Sequence, residues 1–493
     1  MDEILKQLRE KQNIRASLSD LRKLIKEEPV KKQVVLEVAQ QEELYFSFLE
    51  SEDAKTRKNA ALLLGDLEYQ NAMNKLYEAY LNETTLFVRA AYLQALAQMD
   101  VKDKVGALKE QLQSLLCSEI ALENRKHTNE EIRALREIII AYEGITRHTA
   151  DVAGKRVRVL LLTNRSQRET VRRTITCGQA KVHPLGVEVI TENLKELLKL
   201  RTYREVLFPL ETEGFLPAEP VACANAIWES DMLGFLNSLH KEQGNYYFRI
   251  ECKSAMELEE RSAFTKKLAA ELERLSGGEL INSTSDYEVE IRLIANKDGE
   301  FFGALSLATI KSDRFAYRKN VIATSIHPST AALIMEIAAP YLKENAQIMD
   351  PFCGVGTMLI ERDERVTARE MYGTDIFGDA IIFARENTDL ANKKINYIHR
   401  DFMDFKHDYL FDEIVTNMPL RGKKSKQEMD DFYRDFFEKT KEILATEAIL
   451  VMYTNEIGFV KKQLRLHKEY SLLQETCLQA KNDFYLLILG YKR

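Results

Sequence analysis

Six cysteines in 493 residues, at positions 117, 177, 223, 252, 353 and 477 and never spaced as C-x-x-C, leave the chain without a disulfide framework or a cysteine-rich zinc site to expect. No apolar run approaches the roughly 18 residues of a membrane-spanning helix. The opening Met1-Asp2-Glu3-Ile4-Leu5-Lys6 lacks the basic stretch and following apolar segment of a secretory signal. Charge blocks and low-complexity tracts are missing as well. A reducing cytoplasm is therefore the expected compartment, with no membrane and no metal. Nor is there a basic excess: 70 Lys and Arg against 77 Asp and Glu give a net charge of −7, which argues against coating nucleic acid by bulk electrostatics. Only local basic clusters remain for that purpose. One comprises Lys155, Arg156, Arg158, Arg165, Arg168, Arg172 and Arg173, and the other Arg421, Lys423, Lys424 and Lys426.

What is present is the composition of a globular protein, 45% hydrophobic and 30% charged, long enough for two to four domains. Residues 1 to about 145 contain no Gly before Gly65 and a single Pro, Pro29, in the first hundred positions, and they read as helix throughout. Within them Thr56-Arg57 to Leu67 aligns with Val88-Arg89 to Met99 at an offset of 32 residues, inside the range of helical solenoids. A poorer third copy begins at Ile132-Arg133 and reaches Ile140. The pattern resembles HEAT-type repeats, which implies a concave docking surface for RNA or a protein partner; a plain helical bundle is the alternative. The helical period stops between Gly144 and Gly154. Val157–Leu162, Gly186–Ile190, Asn245–Ile250 and Glu288–Ile294 then read as strands, and 193–201 and 262–275 as helices, the second closed by Gly277-Gly278.

From about residue 320 strand and helix alternate, the pattern of a doubly wound parallel sheet. The first strand, Ala346–Asp350, ends in an acid and opens into Pro351-Phe352-Cys353-Gly354-Val355-Gly356-Thr357. Glycines there allow a ligand to approach the backbone at the carboxyl end of a strand. Dinucleotide sites share a G-x-G, but this loop has no third Gly at their spacing and no phosphate-binding Lys. An acid able to hold an ammonium group precedes it, so S-adenosylmethionine is the expected ligand. Asp375, closing the strand Tyr372–Asp375 about twenty residues on, stands at the spacing of a ribose-binding carboxylate, followed by Ile376. The strand Ile395–Arg400 leads to Asp401-Phe402, and Phe411–Thr416 delivers Asn417-Met418-Pro419-Leu420. Asp483–Gly490 reads as an antiparallel edge strand completing the sheet.

The string Asp350 to Thr357, together with Asn417-x-Pro419, resembles amino-methyltransferases. Leu197–Leu207, Phe248-Arg249-Ile250-Glu251 and Phe315-Ala316-Tyr317-Arg318 resemble the THUMP-containing RNA methyltransferases that act on guanine N2 of tRNA or, alternatively, rRNA. The resemblance implies a ferredoxin-like module (149–210), a THUMP-like RNA-binding domain (211–319) and a Rossmann-like class I methyltransferase domain (320–493); the HEAT-like helical domain (1–148) is not a usual part of the family pattern and makes a fourth. It implies that Asn417, Met418, Pro419 and Leu420 form the catalytic turn, in which the Asn417 amide and the next carbonyl hold the target amine. It also implies that Asp401 meets the adenine amine while Phe402 packs on its ring, and that Ser325, His327 and Pro328 close over the methionine end. Asp401 can equally cap the turn that follows it. The chain departs from the pattern at Leu420 and Arg421, where the family has an aromatic residue and Gly, and at Phe315-Ala316 in place of Arg-Gly. Leu lacks the π face, so a weakened or inactive RNA-binding scaffold is the alternative reading. Phe432, Tyr433 and Phe436 are the nearby rings that could compensate.

Overall fold

The computed structural model describes residues 1–117, 124–145 and 147–493. The chain divides into two compact units, Met1–Arg147 and His148–Arg493.

The first unit is helical, as the scarcity of Gly and Pro requires. Pro29 stands in the first turn of the helix Glu28–Gln40, where its missing N–H has no partner to lose. Asp53 starts the helix Ala54–Asp66 by accepting from the N–H groups of Lys55 and Thr56 at 3.3 and 3.0 Å. The helix Ile14–Leu24 packs on Ala54–Asp66, that helix on Leu86–Leu96, and that one on Arg125–Glu143, so the 32-residue offset corresponds to successive layers of one stack. The repeated arginines do the same work in two layers. Arg57 forms a bidentate pair with Glu83 at 2.8 Å, and Arg89 donates to Glu131 at 2.8 Å, both carboxylates being buried. The third copy differs, because Arg133 is exposed and pairs with Glu137 of its own helix at 3.0 Å.

The second unit holds two sheets. In the first are β1 (Val157–Leu162), β2 (Gln179–His183), β3 (Gly186–Thr191), β4 (Glu205–Pro209), β5 (Tyr246–Lys253), β6 (Leu280–Asn282), β7 (Val289–Ala295) and β8 (Phe301–Leu307), in the order β2-β3-β1-β4-β8-β7-β5-β6. The sheet is continuous across residue 210, because β4 pairs with β8 at Phe208↔Leu305 and Pro209↔Ala304. Of the helix expected over 193–201 only Leu194–Leu197 forms, capped by Asn193, whereas the second expected helix begins earlier, at Leu258.

In the second sheet are β9 (Gln347–Asp350), β10 (Glu370–Asp375), β11 (Asn396–His399), β12 (Phe411–Asn417), β13 (Leu444–Thr454), β14 (Tyr470–Gln479) and β15 (Phe484–Lys492), in the order β11-β10-β9-β12-β13-β15-β14. The strands β9 to β13 run parallel, and β15 runs antiparallel to both its neighbours. The chain winds outward from β9 through β10 to β11 and then returns to the other side of β9 as β12. Its direction of winding therefore reverses between β9 and β12, and a crevice at their carboxyl ends is where such sheets bind ligands. The residues at those two ends are Asp350 and Asn417. The last strand corrects the sequence reading: β15 lies inside the sheet and β14 forms the edge. Leu486 to Leu489 are all buried, the pattern of a strand covered on both faces, while β14 is mostly exposed. Among the described residues no helix is long and apolar enough to cross a membrane.

Candidate active site

At the end of β9 the backbone turns through Gly354 and Gly356, at φ +52° and +83°. A Cβ on Gly356 would lie 2.2 Å from the Tyr397 hydroxyl, so the loop closes only with glycine there; a Cβ on Gly354 would meet nothing within 4 Å, so the loop is open to solvent at that point. Thr357 then begins the helix Thr357–Arg365. Asp350 is fully buried. One of its carboxylate oxygens accepts from the Phe352 N–H at 3.1 Å, and the Thr416 hydroxyl stands beside the carboxyl. Burial disfavours the charged form and pushes this carboxyl up to about 7.

Asp375, at the end of β10, accepts from the N–H groups of Gly354 and Phe377, each at 2.9 Å, and so ties the glycine loop to the neighbouring strand. Pro351 and Cys353 bind the same strand, Pro351 accepting from the Thr374 hydroxyl at 2.9 Å and Cys353 donating its N–H to the Thr374 carbonyl at 2.9 Å. Ile376 and Phe377 leave 58% and 63% of their surface exposed beside the Asp375 carboxylate.

Asp401 accepts from the Met403 N–H at 3.0 Å and caps the short turn Phe402–Asp404. Phe402 is 1% exposed, packed edge-on to Phe352 with ring centroids 6.0 Å apart and against Phe436 at 5.8 Å. Its ring thus lies in the core under the loop. The exposed ring in this neighbourhood is Phe377, which the sequence pattern does not single out. His327 caps the helix Pro328–Ala338, its Nδ1 accepting from the Ser329 N–H at 3.2 Å, and the Ser325 hydroxyl oxygen accepts from the Ile322 N–H at 2.9 Å. Burial, with the positive charges of Arg204, Arg318 and Arg314, lowers His327 to about 4 and keeps it neutral.

Asn417 closes β12 opposite Tyr453 of β13, and the Met418 N–H donates to the Tyr453 carbonyl at 2.9 Å. The Met418 side chain is buried, Pro419 half-buried and Leu420 49% exposed. Asn417 and Leu420 face a cavity of about 240 Å³, together with Thr324 to His327, Tyr453 and Phe484. Thr163, Asn164, Thr202 and Arg204, from the first sheet and its loops, add a further part of the wall. Asp350, Gly354 and Asp375 are not on it, so this is a compartment beyond the glycine loop. Tyr453 and Phe484 stack with centroids 4.9 Å apart and planes 24° apart. Of the compensating rings expected from sequence, Tyr433 and Phe436 are buried in the core, and Phe432 packs on Phe352 at 5.5 Å. The aromatic faces of the cavity are Tyr453 and Phe484, brought to Asn417 by strand pairing across β12, β13 and β15.

The strings Leu197–Leu207 and Phe315–Arg318 meet at the helix that follows the glycine loop. Arg201 forms a bidentate pair with the buried Glu361 at 2.8 and 2.7 Å, and the Tyr317 hydroxyl donates to the same carboxylate at 2.7 Å. Arg314 lies 3.5 Å over the Tyr203 ring and donates to the Tyr203 and Arg204 carbonyls at 3.1 Å. Phe315, where the sequence departs from its pattern, takes both arginines, Arg201 and Arg314, over its ring at 4.9 Å.

Residues 316–472 match the family UPF0020, described as RMKL-like, methyltransferase domain. An uncharacterized protein of Mycoplasma genitalium is 35% identical over 89 residues, 18% of this chain and 20% of that one. The tRNA (guanine(10)-N2)-dimethyltransferase of Methanothermobacter thermautotrophicus is 24% identical over 155 residues, 30% of this chain and 45% of that one. The chain thus spans less than half the length of these curated relatives. Among solved structures, TrmN from Thermus thermophilus has a similar fold, with a TM-score of 0.52 at 17% identity over 68% of this chain and 99% of that one.

The chain carries a methyltransferase domain built on a class I, Rossmann-like sheet. S-adenosylmethionine is the cofactor of that domain, and the glycine loop fits it. The loop offers an opening above Gly354 and exposed apolar side chains beside Asp375.

Proposed function

We propose that the chain is an S-adenosylmethionine-dependent RNA methyltransferase that modifies an exocyclic base amine, guanine N2 of tRNA being the acceptor that its similarities favour. The observation that carries the reading is the placement of Asn417 and Asp350 on adjacent strands at the reversal point of the sheet, with the glycine loop on one side and an aromatic-walled cavity on the other.

Asp350, Gly354, Asp375 and Ile376 would hold the cofactor, with Phe377 beside its purine; when bound, it supplies an electrophilic methyl group. The Asn417 amide oxygen accepts from the target amine and orients its lone pair. The Met418 N–H, spent on the Tyr453 carbonyl, fixes the turn, and Pro419 restricts it further. The amine loses its proton after attack, so no strong base is needed, in keeping with a His327 that is held neutral as a helix cap. Tyr453 and Phe484 offer the ring surface that Leu420 lacks, and a base must leave its stack to reach them.

The region 149–319, read as a ferredoxin-like module followed by a THUMP-like domain, is assigned to gripping the RNA. The helical region 1–148, read as HEAT-like, is assigned to RNA or protein docking, and the cytoplasm to the site of action. Tritiated methyl transfer to total RNA, comparing wild type with Asn417→Ala and followed by nucleoside analysis, tests the assignment. Equal rates for the two proteins would show that Asn417 is not in the catalytic turn.

A further inference from the structure

The wall of the acceptor cavity opposite in sequence to the catalytic turn carries two hydrogen-bonding side chains that no protein group among the described residues engages. Asn164, just after β1, has its side-chain amide nitrogen buried with no hydrogen-bond partner. Arg204, just before β4, is exposed, and its guanidinium has no hydrogen-bond or ion-pair partner among the described residues; both side chains line the cavity with Asn417. A buried donor without an acceptor is unfavourable unless something entering the cavity supplies one. The neutrality of His327, to which the charge of Arg204 contributes, places that guanidinium's positive field inside the same compartment.

We infer that Asn164 and Arg204 read the acceptor base, and that the base they read is guanine. The inference rests on Asn417 holding the target amine. With its N2 amine so held, guanine turns toward the rest of the cavity an edge bearing two acceptors, O6 and N7, the pair that an arginine recognises, and O6 can also accept from a single amide N–H. Adenine held by its N6 amine turns only N3 away from the amine. The fork of Arg204 and the buried amide N–H of Asn164 together match the first edge and exceed the second. The module that carries β1 and β4 therefore acts as part of the acceptor pocket, specifying the base, in addition to any contact it makes with the RNA backbone. Its alignment is kept by the Arg201–Glu361 pair and by Arg314, which donates to the backbone carbonyl of Arg204.

The test uses the full chain, a pool of unmodified tRNA transcripts and tritiated S-adenosylmethionine. The proteins are wild type, Asn164→Ala, Arg204→Ala, Arg204→Lys and, as an exposed change outside the region assigned to the RNA, Lys468→Ala. The expected product of wild type is methylated guanosine. Asn164→Ala and Arg204→Ala should each lower kcat/KM for RNA about 10- to 100-fold, the span of discrimination that one base-reading side chain supplies, with Arg204→Lys in between and Lys468→Ala within about twofold. Melting temperature and calorimetric affinity for S-adenosylmethionine should hold for all four, which a merely structural role for Asn164 would not allow. Variants that match wild type on RNA, or a methyladenosine product, would overturn the inference and leave the methyltransferase assignment standing. An inactive wild type that still binds the cofactor would instead remove the RNA reading, and the inference with it.

Discussion

The two ends of the active crevice are built by different rules. At the cofactor end one continuous segment, Asp350 to Thr357, supplies the acid and the glycines, and a single further strand end, Asp375, ties the loop down through the Gly354 N–H. The end proposed for the acceptor is assembled from five separate stretches of chain, near residues 164, 204, 327, 417 and 453, with Phe484 behind them. A contiguous site is dictated by local geometry, since Gly356 cannot carry a side chain against Tyr397. A dispersed site tolerates substitution, because a ring or donor missing at one position can be supplied from another strand. Leu420 can therefore stand where an aromatic ring is expected, with Tyr453 and Phe484 providing ring surface beside it.

The largest expected effect separates the ends outright. Asn417→Ala should cut methyl transfer by about 100-fold or more, the scale of losing one preorganised hydrogen-bonding group at a reacting centre, with cofactor affinity within about twofold of wild type. A matching fall in calorimetric affinity would erase the division between the ends. Next, Asp375→Ala should weaken S-adenosylmethionine binding about 10- to 100-fold, the worth of hydrogen bonds to a charged group, and loosen the glycine loop that it anchors. Binding unchanged by this substitution would remove the cofactor end as drawn.

Leu420→Phe sharpens the comparison. Full restoration of a stacking partner is worth roughly 1 to 3 kcal/mol per base, but with Tyr453 and Phe484 already present the gain in kcat/KM should stay within about fivefold. A larger gain would mean that the existing rings do not touch the base.

The smallest effect at neutral pH concerns two titrating groups that oppose each other. Asp350, raised to about 7, binds its proton more readily in the folded than in the unfolded state, so its contribution to stability falls as pH rises from about 4 to 7. His327, lowered to about 4, is protonated more readily in the unfolded state, so its contribution is lost as pH falls from about 6.5 to 4. Melting curves across pH 4 to 8 should show Asp350→Asn removing the first slope and His327→Gln the second. Profiles parallel to wild type would refute both assignments.

Much of this site is legible in the sequence. The loop at Asp350, the carboxylate at Asp375 and the turn at Asn417 lie at strand ends as their spacing predicts, because short-range periodicity and turn chemistry fix those ends. Phe402, expected against the cofactor's ring, is core, since nothing local distinguishes a ring above the loop from one below it. Phe377, Tyr453, Phe484 and Asn164 carry no signal of their own, their neighbours in space being far away in the chain, whereas Arg204 belongs to the string Leu197–Leu207, which marks the residue without saying what it faces. The helical region behaves likewise: the Arg57 and Arg89 repeat is visible, whereas their partners Glu83 and Glu131 stand 26 and 42 residues away.

The sequence by itself determined many of the elements and the contiguous half of the site, because helix and strand periods, glycine-dependent turns and strand-terminal acids are local properties of the chain. The tertiary structure alone decided the acceptor half: the strand order β9-β12-β13-β15 and the Arg201–Glu361 pair bring residues from 164 to 484 around one cavity. Strand order is set by burying faces against distant partners, and no window of sequence contains those partners.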